Sequence, residues 1–281
     1  MHSHSSTFPY KSYSFSDQWI NTGHSKTNLP SKDFSLHCHD SYEIYYFMNG
    51  DVRYLVEGRE YHPVPGSMFL FYPNVFHGFK VDSDLPYERC TLHFSPNMFP
   101  PETAKLLLTP FQPNPLEQTI YYPNAESFHI ESFFSQLFQA TQMPKKIRDN
   151  AIRIRMENLL LQILMMSQKT ESSQPIASFP IAEEIIHYLN NHLADPITLD
   201  SLSKQFFVSK YHLGNLFKKA TGTTVMDYII RKRLAAARQL IAQGVPAGEA
   251  SNQVGFRDYS VFFRAYKKVY ACAPTSLRES L

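Results

Sequence analysis

In the stretch "HCHDSYE", His37, His39 and Glu43 fall at odd-numbered positions. In an extended chain such positions share one face. Tyr45 continues that face, and His77 follows further on, after the turn residues Pro65-Gly66. Imidazole and carboxylate groups on one surface can hydrogen-bond a small polar molecule in an aromatic-walled pocket. They can equally coordinate zinc, iron, manganese or nickel, or be simply buried histidines. The expectation is a site for an organic effector on His37, His39, Glu43, Tyr45 and His77, without a cofactor. A divalent metal on His37, His39, Glu43 and His77 is the alternative.

A second constellation is basic. "SKYHLGNLFKKATG" begins at Ser209, and 49 residues later "DYSVFFRAYKKVYA" begins at Asp258. Leu213 answers to Phe262, Phe217 to Tyr266, and Lys218-Lys219 to Lys267-Lys268. Leu213, Leu216, Phe217 and Ala220 recur at i, i+3, i+4 and i+7, the buried stripe of a helix. In the second copy Phe262, Tyr266 and Val269 are expected inward. The opposite faces carry Lys210, Tyr211, Asn215 and Lys218 in one copy, and Tyr259, Ser260, Arg264 and Lys267 in the other. Leu199, Leu202 and Phe206 supply a shorter helix before the first copy, with "FVS" as the turn. That is a helix-turn-helix, whose second helix can enter the major groove of DNA. One basic face is readily explained as a solvated surface. Two matched copies are harder to explain so, because the helix expected over 224–243 would span about 30 Å, close to the roughly 34 Å of one DNA turn. Those eight outward residues are therefore the expected contacts to a double-stranded operator, with Lys219 and Lys268 also near phosphates.

The elements that must position these groups differ between the two ends of the chain. "EIYYFMNGDVRYLVEGREY" holds two runs joined at Asn49-Gly50, a strong hairpin signal, with a further turn at Glu57-Gly58. "PGSMFLFYPN" and "ERCTLHFSP" read as further strands, and short strands at this spacing suggest a small barrel. After Pro101, Asn124–Gln142 and Ile147–Met166 read as apolar helices that pack on the barrel or pair with a second subunit. "SQKTESSQPIASFP" is polar with two prolines, as a linker would be. The expected fold is α+β in two domains. An antiparallel barrel with flanking helices comes first, then an all-α domain with two helix-turn-helix units. The expected boundaries are 1–105 for the barrel, 106–169 for a helical connector or dimerisation region, 170–180 for the linker and 181–281 for the DNA-binding domain.

Composition is consistent with this plan. The chain has 281 residues, of which 43% are hydrophobic, enough for two cores. Residues 181–281 hold 13 Lys and Arg against 8 Asp and Glu, whereas the whole chain has a formal net charge of only +2. The basic excess thus lies where the repeated helix lies. Three scattered cysteines, Cys38, Cys90 and Cys272, read as reduced thiols of a cytoplasmic protein. No apolar run reaches the roughly 18 residues of a membrane span, and no secretory leader is apparent.

The last hundred residues resemble the DNA-binding domain of the arabinose-regulator (AraC/XylS) type of bacterial transcription factors. The resemblance runs through "LDSLSKQFFVSKYHLGNLFKKATGTTVMDYI", "RLAAARQLI" and "VGFRDYSVFFRAYKKVYACAPTSLR". Gly255, Phe256, Asp258, Ser260, Phe262, Arg264, Tyr266, Lys267, Lys268, Pro274 and Arg278 carry its most specific block. The spacing H-x-H-x3-E-x6-G with a later P-G and His is similar to the cupin barrel, although Ser31 stands where that motif begins with glycine and "VPG" replaces Pro-x-Gly. The resemblance implies a ligand-responsive, sequence-specific regulator, a homodimer, with RNA polymerase as a partner and a small effector. A sugar is expected from the aromatic-rich barrel. Asn215 stands where the family often has arginine, which favours adenine over guanine at the first half-site. Ala271 replaces a terminal glycine, and Ala247, Gly248 and Ala250 replace bulkier residues, so the second unit is expected to be loose until DNA orders it. The alternative is a metal-dependent cupin oxygenase or isomerase fused to a DNA-binding tail. No nucleophile, general base or phosphate loop elsewhere asks for catalysis, and a non-enzymatic role is expected.

Overall fold

The computed structural model describes residues 13–27, 30–31, 34, 36–111, 119–169 and 175–275. Arg278, one of the motif residues, lies outside them. Two compact units divide the chain: Met1–Val56 with Glu60–Ile176, and Glu57–Arg59 with Ala177–Leu281.

The first unit is built on strands β1 (Tyr13–Ser16), β2 (Ile20–Thr27), β3 (Tyr42–Asn49), β4 (Val52–Val56), β5 (Arg59–Tyr61), β6 (Ser67–Phe71), β7 (His77–Val81), β8 (Tyr87–Phe94) and β9 (Tyr121–Tyr122). One sheet runs β1-β2-β8-β3-β6-β9, and in the other β5, β4 and β7 are neighbours. The paired strands are antiparallel. Asn49-Gly50 does make the β3–β4 turn, with Gly50 at φ +129°. A Cβ there would lie 2.9 Å from the Tyr87 backbone, so glycine is required.

β3 shows why its sequence does not alternate between apolar and polar. Its even-numbered residues Ile44 and Tyr46 join Met68, Leu70, Cys90, Leu92 and Phe94 on one face of the sheet. Its odd-numbered Tyr45 and Phe47 join Phe69, Phe71 and Tyr87 on the other. Both faces are buried, and a strand buried on both faces reads as a continuous apolar run. Three helices, α1 (Pro101–Leu107), α2 (Ile130–Thr141) and α3 (Lys145–Ser167), belong to the same unit. Phe134, Leu137 and Phe138 of α2 and Ile152, Met156, Leu159, Leu160 and Ile163 of α3 share a core with the even face. Burying each such side chain contributes about 1.5–3 kcal/mol. One face of α3 is thus satisfied within the unit. A second apolar stripe on α3, made of Ile147, Ile154, Leu161 and Met165, is exposed.

The second unit contains α4 (Pro180–Asn191), α5 (Leu199–Gln205), α6 (Lys210–Thr221), α7 (Val225–Ala242), α8 (Ala247–Gln253) and α9 (Tyr259–Tyr270). Thr198 caps α5: its hydroxyl accepts from Ser201 N at 3.0 Å, and the Ser201 hydroxyl closes a capping box. Ser209 caps α6 and Asp258 caps α9. Gly222 ends α6 at φ +73°, and Ala271 ends α9 at φ +56° where glycine would be unstrained.

The connecting helix α7 has 18 residues rather than 20, so it spans about 27 Å. Phe217 of α6 packs edge-on against Tyr228 near its start. Leu234, Ala237 and Ile241 near its end share a core with Ala250 of α8 and Phe262 and Tyr266 of α9. Ala250 of α8 is buried in that core and Ala247 packs against it, whereas Gly248 is exposed, with open space where a Cβ would sit. Val269, expected inward, is 38% exposed. The buried stripe of α9 instead runs Phe262, Tyr266, Tyr270, with the last two rings 4.7 Å apart. Steps of four residues turn Val269 away from the core. Arg233 joins the two halves of the unit: its guanidinium donates to the carbonyls of Leu193 (2.6 Å), Asp195 (2.7 Å) and Gly255 (3.0 Å).

Candidate effector site and nucleic-acid interface

The histidine face gathers more tightly than the sequence spacing requires. His37 and His77 exchange backbone hydrogen bonds of 2.9 and 3.0 Å, which brings the segment before β3 against β7. Their rings lie 4.6 Å apart, and the His39 and His77 rings 5.1 Å apart. Glu43 is buried beneath them, with its Oε2 at 2.8 Å from His39 Nε2 and 2.9 Å from His77 Nε2. A further histidine, His93 of β8, stands across from Glu43 in the strand register, with its ring 4.5 Å from that of His39. His37 is the exposed member of this group.

The other ring nitrogens decide the chemistry. His39 Nδ1 is 3.0 Å from the Ser41 carbonyl, and His77 Nδ1 is 2.9 Å from the Val75 carbonyl. The Val75 carbonyl only accepts, so His77 Nδ1 carries a proton; His39 Nδ1 also lies 3.2 Å from the Ser41 hydroxyl, which can donate to it and leave the His39 Nε2–H to bond Glu43. In its neutral form His77 Nε2 then turns a lone pair toward an acceptor-only carboxylate. His77 Nε2 is buried and makes no aligned hydrogen bond. A cation must sit among these atoms, either a proton or a metal. Burial works against the His39 imidazolium, but the hydrogen bond and charge of Glu43 prevail and raise its pKa above the ordinary 6.5. Burial likewise opposes the Glu43 carboxylate, yet the charge of His77 and the hydrogen bond from His39 hold it well below 4.5. Burial lowers His93, against the pull of Glu43.

Two ligand sets fit a divalent ion: His37, His39 and His77, and His39, Glu43 and His93, each with donor atoms within 4.8 Å of one another. An Nδ1–H bonded to a backbone carbonyl is the usual support of a metal-binding imidazole. A metal there would offer a Lewis-acidic anchor for an oxygen-bearing molecule. Tyr45, the remaining expected effector residue, is fully buried on the same face, and its hydroxyl bonds that of Tyr87 at 2.8 Å. His93 escaped the sequence reading because only the β3–β8 register brings it beside Glu43.

On the helical unit all eight expected DNA contacts are exposed: Lys210, Tyr211, Asn215 and Lys218 on α6, and Tyr259, Ser260, Arg264 and Lys267 on α9. Tyr211 is 82% exposed, and Lys210 pairs with Asp200 of the preceding helix. Phe207, in the α5–α6 turn, was not anticipated. It is 94% exposed and left-handed at φ +55°, a conformation uncommon for bulky residues.

Two family models match the chain, an AraC-like ligand binding domain over residues 25–176 and a helix-turn-helix domain over residues 202–280. The first alone covers more than half of the sequence. The chain belongs to the AraC family. This regulator is 26% identical over 256 residues to the HTH-type transcriptional activator RhaS of Escherichia coli O81 (strain ED1a), covering 89% of this chain and 90% of that one. Among solved structures, ToxT of Vibrio cholerae O395 is 12% identical with a TM-score of 0.37, covering 92% of this chain and 97% of its own. A Chromobacterium violaceum transcriptional regulator with an AraC-type DNA-binding domain is 26% identical with a TM-score of 0.34, covering 36% of this chain and 90% of its own. The AraC-family protein described here is a ligand-responsive DNA-binding transcription regulator. None of its described helices is long and apolar enough to cross a membrane.

Proposed function

We propose that this AraC-family regulator reads two adjacent major-groove half-sites from a single chain and controls carbohydrate metabolism. The observation that carries the reading is the pair of exposed basic faces on α6 and α9, borne on the two halves of one helix, α7. Lys218, Lys219, Lys267 and Lys268 supply phosphate contacts. Lys210, Tyr211, Asn215, Tyr259, Ser260 and Arg264 reach base edges, Arg264 being suited to guanine and Asn215 to adenine. RNA polymerase is the further partner that transcription control requires, and the cytoplasm is where both are met. A second copy pairs through the exposed stripe of α3, whose Ile147, Ile154 and Leu161 recur every seven residues.

The effector binds the odd-numbered inner face of the first unit, around His39, Glu43, Tyr45, His77 and His93. It acts by favouring one state of the protein over another, for which it must bind the two differently. The inner face senses rather than catalyses. A second reading, in which the histidine end holds a divalent cation, is favoured by the two sets of three donor atoms gathered there and by the His77 Nδ1 bonded to the Val75 carbonyl.

Fluorescence anisotropy with full-length protein tests the half-site reading. Duplexes carrying selected half-sites with centres 10–11 base pairs apart should bind at least tenfold tighter than duplexes with 15–16, which put the second site on the opposite face. Equal binding to both spacings would overturn it.

A further inference from the structure

Arg89 is the one arginine on the inner face of β8. Its inward register partners are Phe47 on β3 and Ser25 on β2, and Thr91 and His93 follow along the strand on the same face. Its guanidinium carbon stacks 4.4 Å from the Tyr87 ring centre and 4.9 Å from that of Phe79. One guanidinium nitrogen, Nη1, is buried and has no hydrogen-bond partner. Among the described residues no carboxylate pairs with it. Glu43, the acid of this face, lies four residues along β3 from Phe47, or about 13 Å away. The inner face thus carries its carboxylate among histidines at one end and a positive charge with no carboxylate partner at the other.

A desolvated guanidinium donor without an acceptor is costly, whereas two flanking rings hold its planar fork ready for a carboxylate. Polar groups converge there as well. The bonded hydroxyls of Tyr45 and Tyr87 lie on the same face, with Thr91 the next inward residue. Phe79, Arg89, Thr91 and His93 are only half-buried, as is Ser25 beside Arg89. A phosphate dianion would call for a second cation, and among the described residues of this wall there is none beside Arg89. We infer that Arg89 anchors the carboxylate of a small polyhydroxy acid, so that the effector is a sugar acid rather than a neutral sugar. This rests on the regulator reading and deepens it.

The test is thermal melting of the full chain in matched sodium chloride. The probes are sodium galacturonate and sodium glucuronate, with galactose, glucose and inorganic phosphate beside them. An acid present at a hundred times its dissociation constant should raise the wild-type Tm by roughly 5 °C or more, and the neutral sugars and phosphate should not. Arg89→Met should melt at or above the ligand-free wild type, since it removes a cation without a counter-ion, and should lose the response. Arg89→Lys should retain a weaker response. The inference is overturned if neither acid raises the wild-type Tm, if neutral sugars or phosphate do as well as the acids, if Arg89→Met responds undiminished, or if it melts below wild type, which would make the stack structural. Salt-dependent DNA binding of the same preparations is measured separately. If it persists while the acids fail, only the effector class falls; if it is absent, the regulator reading itself falls.

Discussion

Glu43 and His93 stand opposite one another in the β3–β8 register, with His93 Nε2 3.8 Å from Glu43 Oε1. With His39 they form a ligand set that no contiguous stretch of sequence contains. Because these three donor atoms lie within 4.8 Å of one another, a borderline metal should be taken up. Nickel or zinc at a hundred times its dissociation constant adds about 2.7 kcal/mol to stability. The wild-type chain should melt correspondingly higher, and Glu43→Gln should lose that gain. His93→Phe should weaken it at least tenfold while leaving the metal-free Tm near wild type. Isothermal titration with the metal checks both, and heat uptake unchanged by either substitution would count against the site.

Much of this was legible in the sequence, for identifiable reasons. The Asn49-Gly50 turn is local chemistry, and so are the two basic helices. The face shared by His37, His39 and Glu43 follows from strand parity alone. His93 and Arg89 were not legible, because their neighbours are set by long-range strand pairing. Val269 was misplaced because the two helical spacings, three and four, point to different neighbours of Tyr266, and only the packed partner chooses between them. The two-sided character of α3 was equally hidden, since its apolar residues read as one crowded pattern until Ile152, Met156, Leu159 and Ile163 found α2 and the sheet.

Gly255 fixes the approach between the loop before α5 and the end of α8. It adopts φ +94°, and a Cβ would lie 2.6 Å from the Ala194 carbonyl oxygen. Gly255→Ala should therefore cost about 2 kcal/mol or more through backbone strain and displacement. Because Arg233 ties both segments together, binding to paired half-sites should fall further than binding to a single one. Urea unfolding and anisotropy on one-site and two-site duplexes measure the two effects.

Asp258 caps α9 by accepting from Ser260 N at 2.6 Å and Val261 N at 3.4 Å. Those backbone donors hold its carboxyl below the ordinary 3.8. A depressed acid stabilises the fold above its unfolded pKa, and the contribution fades as pH falls through the folded value. Hydrogen-exchange protection of α9 should thus be full at neutral pH and decline only below about pH 4. Asp258→Asn keeps an acceptor at the cap and should retain most protection, whereas Asp258→Ala should lose it at every pH.

The exposed stripe on α3 gives a test of self-association that spares the core. Ile154→Glu and Leu161→Glu alter side chains that are already half open to solvent, so the monomer Tm should shift by no more than about 0.5 kcal/mol equivalent. Sedimentation equilibrium should show the wild-type chain as a dimer and the double variant as a monomer. A dimer that survives both charges would move the interface elsewhere.

Arg264 and Lys218 separate base reading from phosphate binding. Both are exposed, Arg264 on the face of α9 opposite Phe262 and Lys218 in the last turn of α6. Arg264→Ala should cost about 1–3 kcal/mol on the selected operator and relax the preference for guanine at one position. Its affinity for random DNA should hardly change. Lys218→Ala should weaken specific and random binding alike and lower the slope of log K against log salt by about 1. Anisotropy titrations from 50 to 200 mM salt on both kinds of duplex distinguish the two residues. If Arg264→Ala weakens binding to selected and random DNA equally, Arg264 is a phosphate contact, and the guanine-reading role passes to another residue of α9.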